Sequence, residues 1–215
     1  MLSPYLEQLN SKKIILASGS AARKQILEQA GLRFTVSPSS FAEDLDKSQF
    51  THEEYVKSTA EGKLIDKIEE IKQKEEKVDI IIVGDTVISF GDKIIEKAED
   101  EEHAFSIIKE LQGETHDCLS AVVIAFLDSE MEIIKQETFV QKTTLEFYPL
   151  SDEVIKLYIA TGEAFGKAGC YGIQSTAATW IKKINGCYFS VWGFPLSLFC
   201  VSLIKMIEET GFLDE

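Results

Sequence analysis

The chain has 215 residues, 45% hydrophobic and 27% charged, which suffices for one well-cored domain and excludes a wholly disordered chain. Its 36 acids against 22 bases give a net charge of −14, which repels nucleic-acid backbone and anionic membrane alike. The acidity is uneven: residues 1–40 carry five bases against two acids and 141–183 five against four, whereas 41–112 carry ten against twenty. Long nucleic acids and membranes are therefore excluded as partners, while a small phosphate ligand with a divalent cation is not.

In chain order, 14–17 (IILA) reads as a short buried strand, SGSA as a turn, and 21–30 as a helix closed by Gly31. A second strand is expected at 34–38. An acidic loop follows, and then Thr51, whose spacing to Glu54 fits a capping box opening a long helix to about Lys77. The β-branched run 78–83 predicts a buried strand ending just before Asp85, and Phe90-Gly-Asp-Lys a turn into a short strand. Asp100 caps a helix to Leu111, ended by Gly113. Two long strands flank Asp128-Ser-Glu as an antiparallel hairpin, and Ser151 opens a helix to about Ala160. Short strands are expected at GIQ (172–174), ATWIKKI and CYFSVW, then a final helix with Pro195 in its first turn. Strands and helices in this mixture predict an α/β (mixed α+β) fold with a mixed sheet flanked by helices. No repeat or linker interrupts it, so 1–215 is expected to be a single domain.

Cysteines at 118, 170, 187 and 200 have no paired spacing, and no apolar leader or membrane-length apolar run is present. Free thiols and a cytoplasmic location are expected. His52, His103 and His116 have no mutual metal-ligand spacing and read as surface or capping residues.

Three stretches could carry chemistry. In LASGSAAR (16–23) small residues precede a helix start, where orphan N–H groups and the helix dipole bind phosphate; Ser18 and Ser20 add hydroxyls, Arg23 and Lys24 charge. The plainer alternative is a capped helix with a solvated basic turn. Asp85 follows a strand that should be buried, where a carboxylate must be paired, hydrogen-bonded or metal-bound; a turn-forming Asp is the alternative. GKAGCYGIQ (166–174) has three glycines, suited to close approach of a ligand or to a tight turn, and Gln174 could read a base edge with its amide. Tyr188, Phe189, Trp192 and Phe194 read as core rather than as a stacking platform.

The order of these segments resembles the Maf family of nucleoside triphosphate pyrophosphatases over nearly the whole chain. LASGSAAR is similar to the family's L-A-S-x-S-P-R-R, VGDTV to G-A-D-T, IIEK to G-K-P, TGEAFGKAGCYGIQ to T-G-E-P-x-D-K-A-G-x-Y-G-I-Q, and YFSVWGFPL to Y-x-N-V-V-G-L-P. The resemblance implies a strongly curved sheet like that of inosine triphosphate pyrophosphatase. It also implies hydrolysis of a nucleoside triphosphate to monophosphate and pyrophosphate with a divalent cation, Mg or Mn, in a homodimer. Asp85 would accept the proton from water and share the metal with Glu43. Ser18, Ser20, Arg23, Lys63, Lys97 and Lys167 would hold the substrate. The Tyr-Gly-Ile-Gln ending resembles the dTTP/UTP branch, with Thr86 and Gln174 at its specificity positions, in nucleotide house-cleaning.

Ala21 and Ala22 replace the family's Pro-Arg, Gly166 an Asp, and Ala98 a Pro. A missing charge-assisted bond of the Ala22 kind costs roughly 1.5–3 kcal/mol. An active but weakened or respecified enzyme is expected, with a catalytically impaired nucleotide-binding or regulatory relative as the alternative.

Overall fold

In the computed structural model, which describes residues 1–214, the apolar runs pair into one open seven-stranded mixed sheet. Strand β1 (Ile14–Leu16) lies between β2 (Thr35–Val36) and β3 (Ile80–Phe90), parallel to both. The rest is antiparallel: β3 pairs with β5 (Thr115–Leu127), β5 with β6 (Ile133–Phe147), and β6 with β7 (Ile181–Asn185). Strand β4 (Lys93–Ile95) folds back on the far half of β3 through Gly91, whose φ of 55° suits a glycine.

Period-two alternation decides what each face covers. Ile80 and Ile82 of β3 face a core shared with α1 (Leu6–Leu9), α2 (Ala21–Gln29) and α7 (Leu196–Thr210). Ile81, Val83 and Val87 face α3 (His52–Gln73) on the other side. A third cluster, around Ile88, Leu145 and Phe147, packs α4 (Glu101–Leu111) and α5 (Asp152–Ala160). The expected caps are made: Ser20, Thr51, Asp100 and Ser151 each accept a backbone N–H, and Thr51 with Glu54 completes the capping box.

Several expectations need correction. The long helix stops at Gln73 rather than Lys77, because Glu75 turns to φ 54°. The buried strand does not end before Asp85: antiparallel pairing with β5 carries β3 on to Phe90, and Asp85 opposes Ala121 in mid-strand. Ile173 and Gln174 form a turn where a strand was expected, and of the expected ATWIKKI strand the first three residues belong to a 3-10 turn, Thr176–Trp180, β7 beginning only at Ile181. CYFSVW is no strand either; α6 (Tyr188–Trp192) forms because the Cys187 carbonyl accepts from the N–H of Ser190 and Val191. Tertiary placement there overrides aromatic β-propensity. Pro195 stands one residue earlier than expected, as the cap of α7.

His116 is no surface residue. It is 2% exposed, with Nε2 hydrogen-bonded to the Tyr171 hydroxyl at 2.9 Å and its ring edge-on to Phe147. Burial lowers its pKa from 6.5 to about 4, slightly opposed by Asp117. In that window the unfolded chain binds the extra proton, so stability falls as pH drops from about 6.5 towards 4, by roughly 3 kcal/mol. Urea unfolding at pH 7 and pH 4.5 checks this; the difference should shrink in His116→Gln, and an undiminished difference would reject the assignment.

All four cysteines are free, as expected, and among the described residues no helix is long and apolar enough to cross a membrane.

Candidate active site

The sheet contains a notch. Along one edge of β3, β1 pairs with Ile80–Ile82 and β4 with Ile88–Phe90, while β5 fills the opposite edge throughout. Residues 83–87 therefore have no strand beside them on the notched edge. A cavity of about 610 Å³ opens there, and it reaches both faces of the sheet. Ser18, Ser20, Arg23, Glu43, Lys63, Asp85, Thr86, Lys97, Lys167 and Gln174 all line it, whereas Lys24 does not.

On the α3 side, Asp85 is 7% exposed and accepts from the Lys63 Nζ at 2.7 Å. Lys63 lies on the helix stripe formed with Tyr55, Val56, Ala60 and Leu64, so its ammonium is directed at the sheet rather than at water. The same ammonium meets Glu43 Oε1 at 2.7 Å. Burial pushes the Glu43 carboxyl up, but the Lys63 bond and charge, helped by Lys97 and Arg23, outweigh it and hold the pKa below the ordinary value.

Glu43 comes from a loop clasped to α3 at two points. The Asp66 carboxylate accepts from Ser39 Oγ (2.6 Å) and from Ser40 N (2.8 Å). The Phe41 ring rests on Gly62: a Cβ there would lie 2.4 Å from its Cζ. Neither Asp66 nor Gly62 stood out in the sequence, since a glycine inside a helix and an acid on a solvated face have no local signature.

On the opposite face, Arg23 projects from the first turn of α2 and makes three bonds. Nη1 donates to Ser18 Oγ (2.9 Å), Nη2 to Thr86 Oγ1 (3.1 Å) and Nε to the Gly193 carbonyl (3.1 Å). Burial lowers its pKa, against the raising effect of Asp85 and Glu43. Gly84 makes room for this side chain, for a Cβ would stand 2.9 Å from Nε. Ser20 Oγ is engaged as the helix cap, and Lys24 is turned outward to Glu28. Cys118 also lines the cavity, but burial pushes its thiol up to about 12, which leaves it protonated and unsuited to nucleophilic work.

The glycine-rich segment closes the cavity. Gly169 has φ 68°, and its N–H donates to the Glu96 carbonyl (3.0 Å), which joins this segment to the end of β4. Lys167 donates to the Glu163 carbonyl, and Gln174 is exposed at the rim. Lys97 lines the cavity beside Glu96, whose carboxylate accepts from Tyr55 OH at 2.9 Å. Glu96 was not singled out in the sequence. Four cations, Arg23, Lys63, Lys97 and Lys167, thus share the cavity with three carboxylates, in a chain whose net charge is −14. Such a balance suits a polyphosphate arriving with a divalent cation.

Two carboxylates converging on one ammonium define a position that favours positive charge. Among the described residues no group of three or more His, Cys, Asp or Glu side chains is arranged to enclose a metal. A pair such as Glu43 and Asp85 instead suits a magnesium-like ion that completes its shell with water and substrate phosphate.

A family model described as Maf-like protein matches residues 13–206. The chain is 36% identical over 198 residues to a dTTP/UTP pyrophosphatase of Ruminiclostridium cellulolyticum, covering 92% of this chain and 98% of that protein. It is 35% identical over 210 residues to a human protein named probable bifunctional dTTP/UTP pyrophosphatase/methyltransferase protein. That match covers 96% of this chain and 34% of the human one, so the chain spans about a third of that relative. A crystal structure of a nucleoside-triphosphatase / dITP/XTP pyrophosphatase from Mycobacterium abscessus aligns with 63% of this chain and 72% of that one. Its TM-score is 0.34 and its identity 12%, too slight a likeness to bear on fold or function.

Proposed function

The chain belongs to the Maf family, and from that premise we propose that it hydrolyses nucleoside triphosphates, dTTP and UTP foremost, between the α and β phosphates, giving a monophosphate and pyrophosphate. The observation that carries this reading is the cavity at the β3 notch, where Asp85, Glu43 and four cations meet.

In this reading Asp85 takes the proton from the attacking water, as a carboxylate within reach of a bound phosphate can. A divalent ion, Mg or Mn, held by Glu43 and Asp85 would neutralise phosphate charge and polarise phosphorus. Lys63 would exchange its carboxylate partners for a phosphate oxygen. Arg23, Lys97 and Lys167 hold the remaining oxygens, with Ser18, Ser20 and the start of α2 supplying neutral donors. Thr86 and Gln174 face the base. The reading extends to one catalytic domain over 1–215, a cytoplasmic location and a homodimer; sedimentation as a monomer at high concentration would remove the dimer.

The test is product analysis of purified protein with dTTP or UTP and either metal. Monophosphate plus pyrophosphate is expected; diphosphate plus orthophosphate would reject the reading. Calorimetric binding without turnover would favour an impaired nucleotide-binding relative, the outcome to which Ala22 and Gly166 point.

The clasp on α3 gives a separate prediction. Gly62→Ala should stabilise the helix by up to about 1 kcal/mol. It should also push the Phe41 ring aside and, through it, Glu43. A displacement near 1 Å can cost roughly a hundredfold in rate. We therefore expect a melting temperature that is unchanged or higher together with a loss of kcat/KM of roughly ten- to a hundredfold. Thermal melts beside steady-state kinetics decide it; retained activity would show that the clasp does not position Glu43.

A further inference from the structure

We propose that Trp192 is the surface against which the substrate's nucleobase lies, left open to the cavity by the small side chain of Ala22. The inference rests on the nucleotide reading above and adds to it the residue that grips the base.

Strand alternation supplies the first argument. Asp85 and Thr86 are neighbours in β3 and point to opposite faces, so the charged work with Lys63 and Glu43 lies on the α3 side. On the Thr86 side the same cavity continues past Arg23 and the start of α2, which would hold the nearer phosphates, to α6. Trp192 is on that side. The Gly193 carbonyl that follows it accepts from Arg23 Nε at 3.1 Å and from Thr86 Oγ1 at 3.5 Å, so the indole is held to α2 and β3 by its backbone.

The ring's surroundings point the same way. Phe189 stacks behind it, with centroids 6.0 Å apart and planes 20° from parallel, and Tyr188 meets it at 66°. The cavity has two aromatic walls, Tyr171 and Trp192. Tyr171 is 4% exposed and committed to His116 and Phe147, whereas Trp192 is half-buried, packs with one side against the core of α1, α2 and α7, and lines the cavity. The Ala22 methyl lies 3.9 Å from where a Cβ on Gly193 would stand, and both Ala22 and Trp192 line the cavity, so the short side chain at 22 adds little bulk beside the residue that follows Trp192.

The ring also has an unmet polar group. The indole Nε1 is buried without a hydrogen-bond partner among the described residues. An aliphatic side chain would pack there without that penalty. A half-exposed ring with an orphan donor, on the wall of a site, is the local inconsistency expected of a residue kept for binding. Flat and uncharged, it matches a nucleobase rather than a phosphate, and base–aromatic stacking tolerates any base.

The experiment compares dTTP with inorganic triphosphate, which lacks a base. Trp192→Leu should weaken dTTP binding roughly ten- to a hundredfold, the range of one stacked base, leave inorganic triphosphate binding within about twofold, and be largely rescued in Trp192→Phe. Ala22→Leu, which covers the indole, should weaken dTTP in the same selective way. Trp180, the other tryptophan, is buried against Tyr158 and Phe147 away from the cavity, so in a Trp180→Phe background emission reports on Trp192. Titration with dTTP should change that emission and inorganic triphosphate should not. Equal weakening of both ligands, or dTTP binding seen by calorimetry with silent emission, would overturn the inference while leaving the proposed hydrolysis intact. Selective stacking without turnover would sustain the inference and reject the hydrolysis; no binding of dTTP at all would reject both.

Discussion

Asp85→Asn is expected to lower turnover of dTTP and UTP on the order of a thousandfold or more, because under the proposed mechanism it removes the proton acceptor and one of the two carboxylates that would hold the metal. The variant should still fold. Lys63 keeps Glu43 as a charge partner at 2.7 Å, so the exchange does not strand a buried ammonium. The asparagine oxygen can also accept the Lys63 N–H that Asp85 Oδ1 now accepts at 2.7 Å. Single-turnover pyrophosphate release, with a thermal melt of the same preparation, separates chemistry from folding. Undiminished turnover in a folded variant would end the role assigned to Asp85.

The second large effect is expected at Lys63. Its ammonium occupies the position towards which both carboxylates point, and in the proposed mechanism it stands where the metal would and gives way to bind phosphate. Lys63→Met should reduce kcat/KM by roughly a hundredfold, the scale of one lost electrostatic contact to the reacting group. The same change should tighten binding of Mn in the absence of nucleotide, since Glu43 and Asp85 would lose the one cation bonded to both. It should also raise the Glu43 pKa, because the bond and charge that hold it down come first from Lys63. Metal titration by calorimetry reads the opposite signs directly: weaker catalysis with stronger metal binding. Weaker metal binding in Lys63→Met would mean that the lysine organises the carboxylates rather than competing for their charge.

Local patterns made much of the fold legible. The capping box at Thr51, the caps at Ser20, Asp100 and Ser151, and the long hairpin around residue 128 are where the sequence places them. These features depend on residues within a few positions of one another. The segments that misled were short and aromatic or glycine-rich. CYFSVW has strand propensity and became a helix, while Gly172–Gln174 had no strand to pair with and remained irregular. Asp85 was recognised as a buried acid, but its place in mid-strand depends on β5, where it stands opposite Ala121, far along the chain.

The candidate site divides in the same way. Its members could be listed because their types and order carry the family pattern, yet their partners could not. That Lys63 bridges Glu43 and Asp85, that Arg23 joins Thr86 and Gly193, and that Asp66 and Gly62 fasten the loop of Glu43 are contacts across long sequence separations. Trp192 illustrates the limit: by type it reads as core, and it lines the cavity only because α6 turns it there.

The sequence by itself determined the fold class, the family and the residues that carry charge, because hydrophobic period, capping chemistry and motif order are local properties of the chain. Only the tertiary structure decided the notch in the sheet, and with it which face of β3 holds the carboxylates and which holds Trp192. Strand pairing sets that arrangement: β1 and β4 share one edge of β3 and leave five residues between them uncovered, and no stretch of sequence read alone contains the gap between two partners.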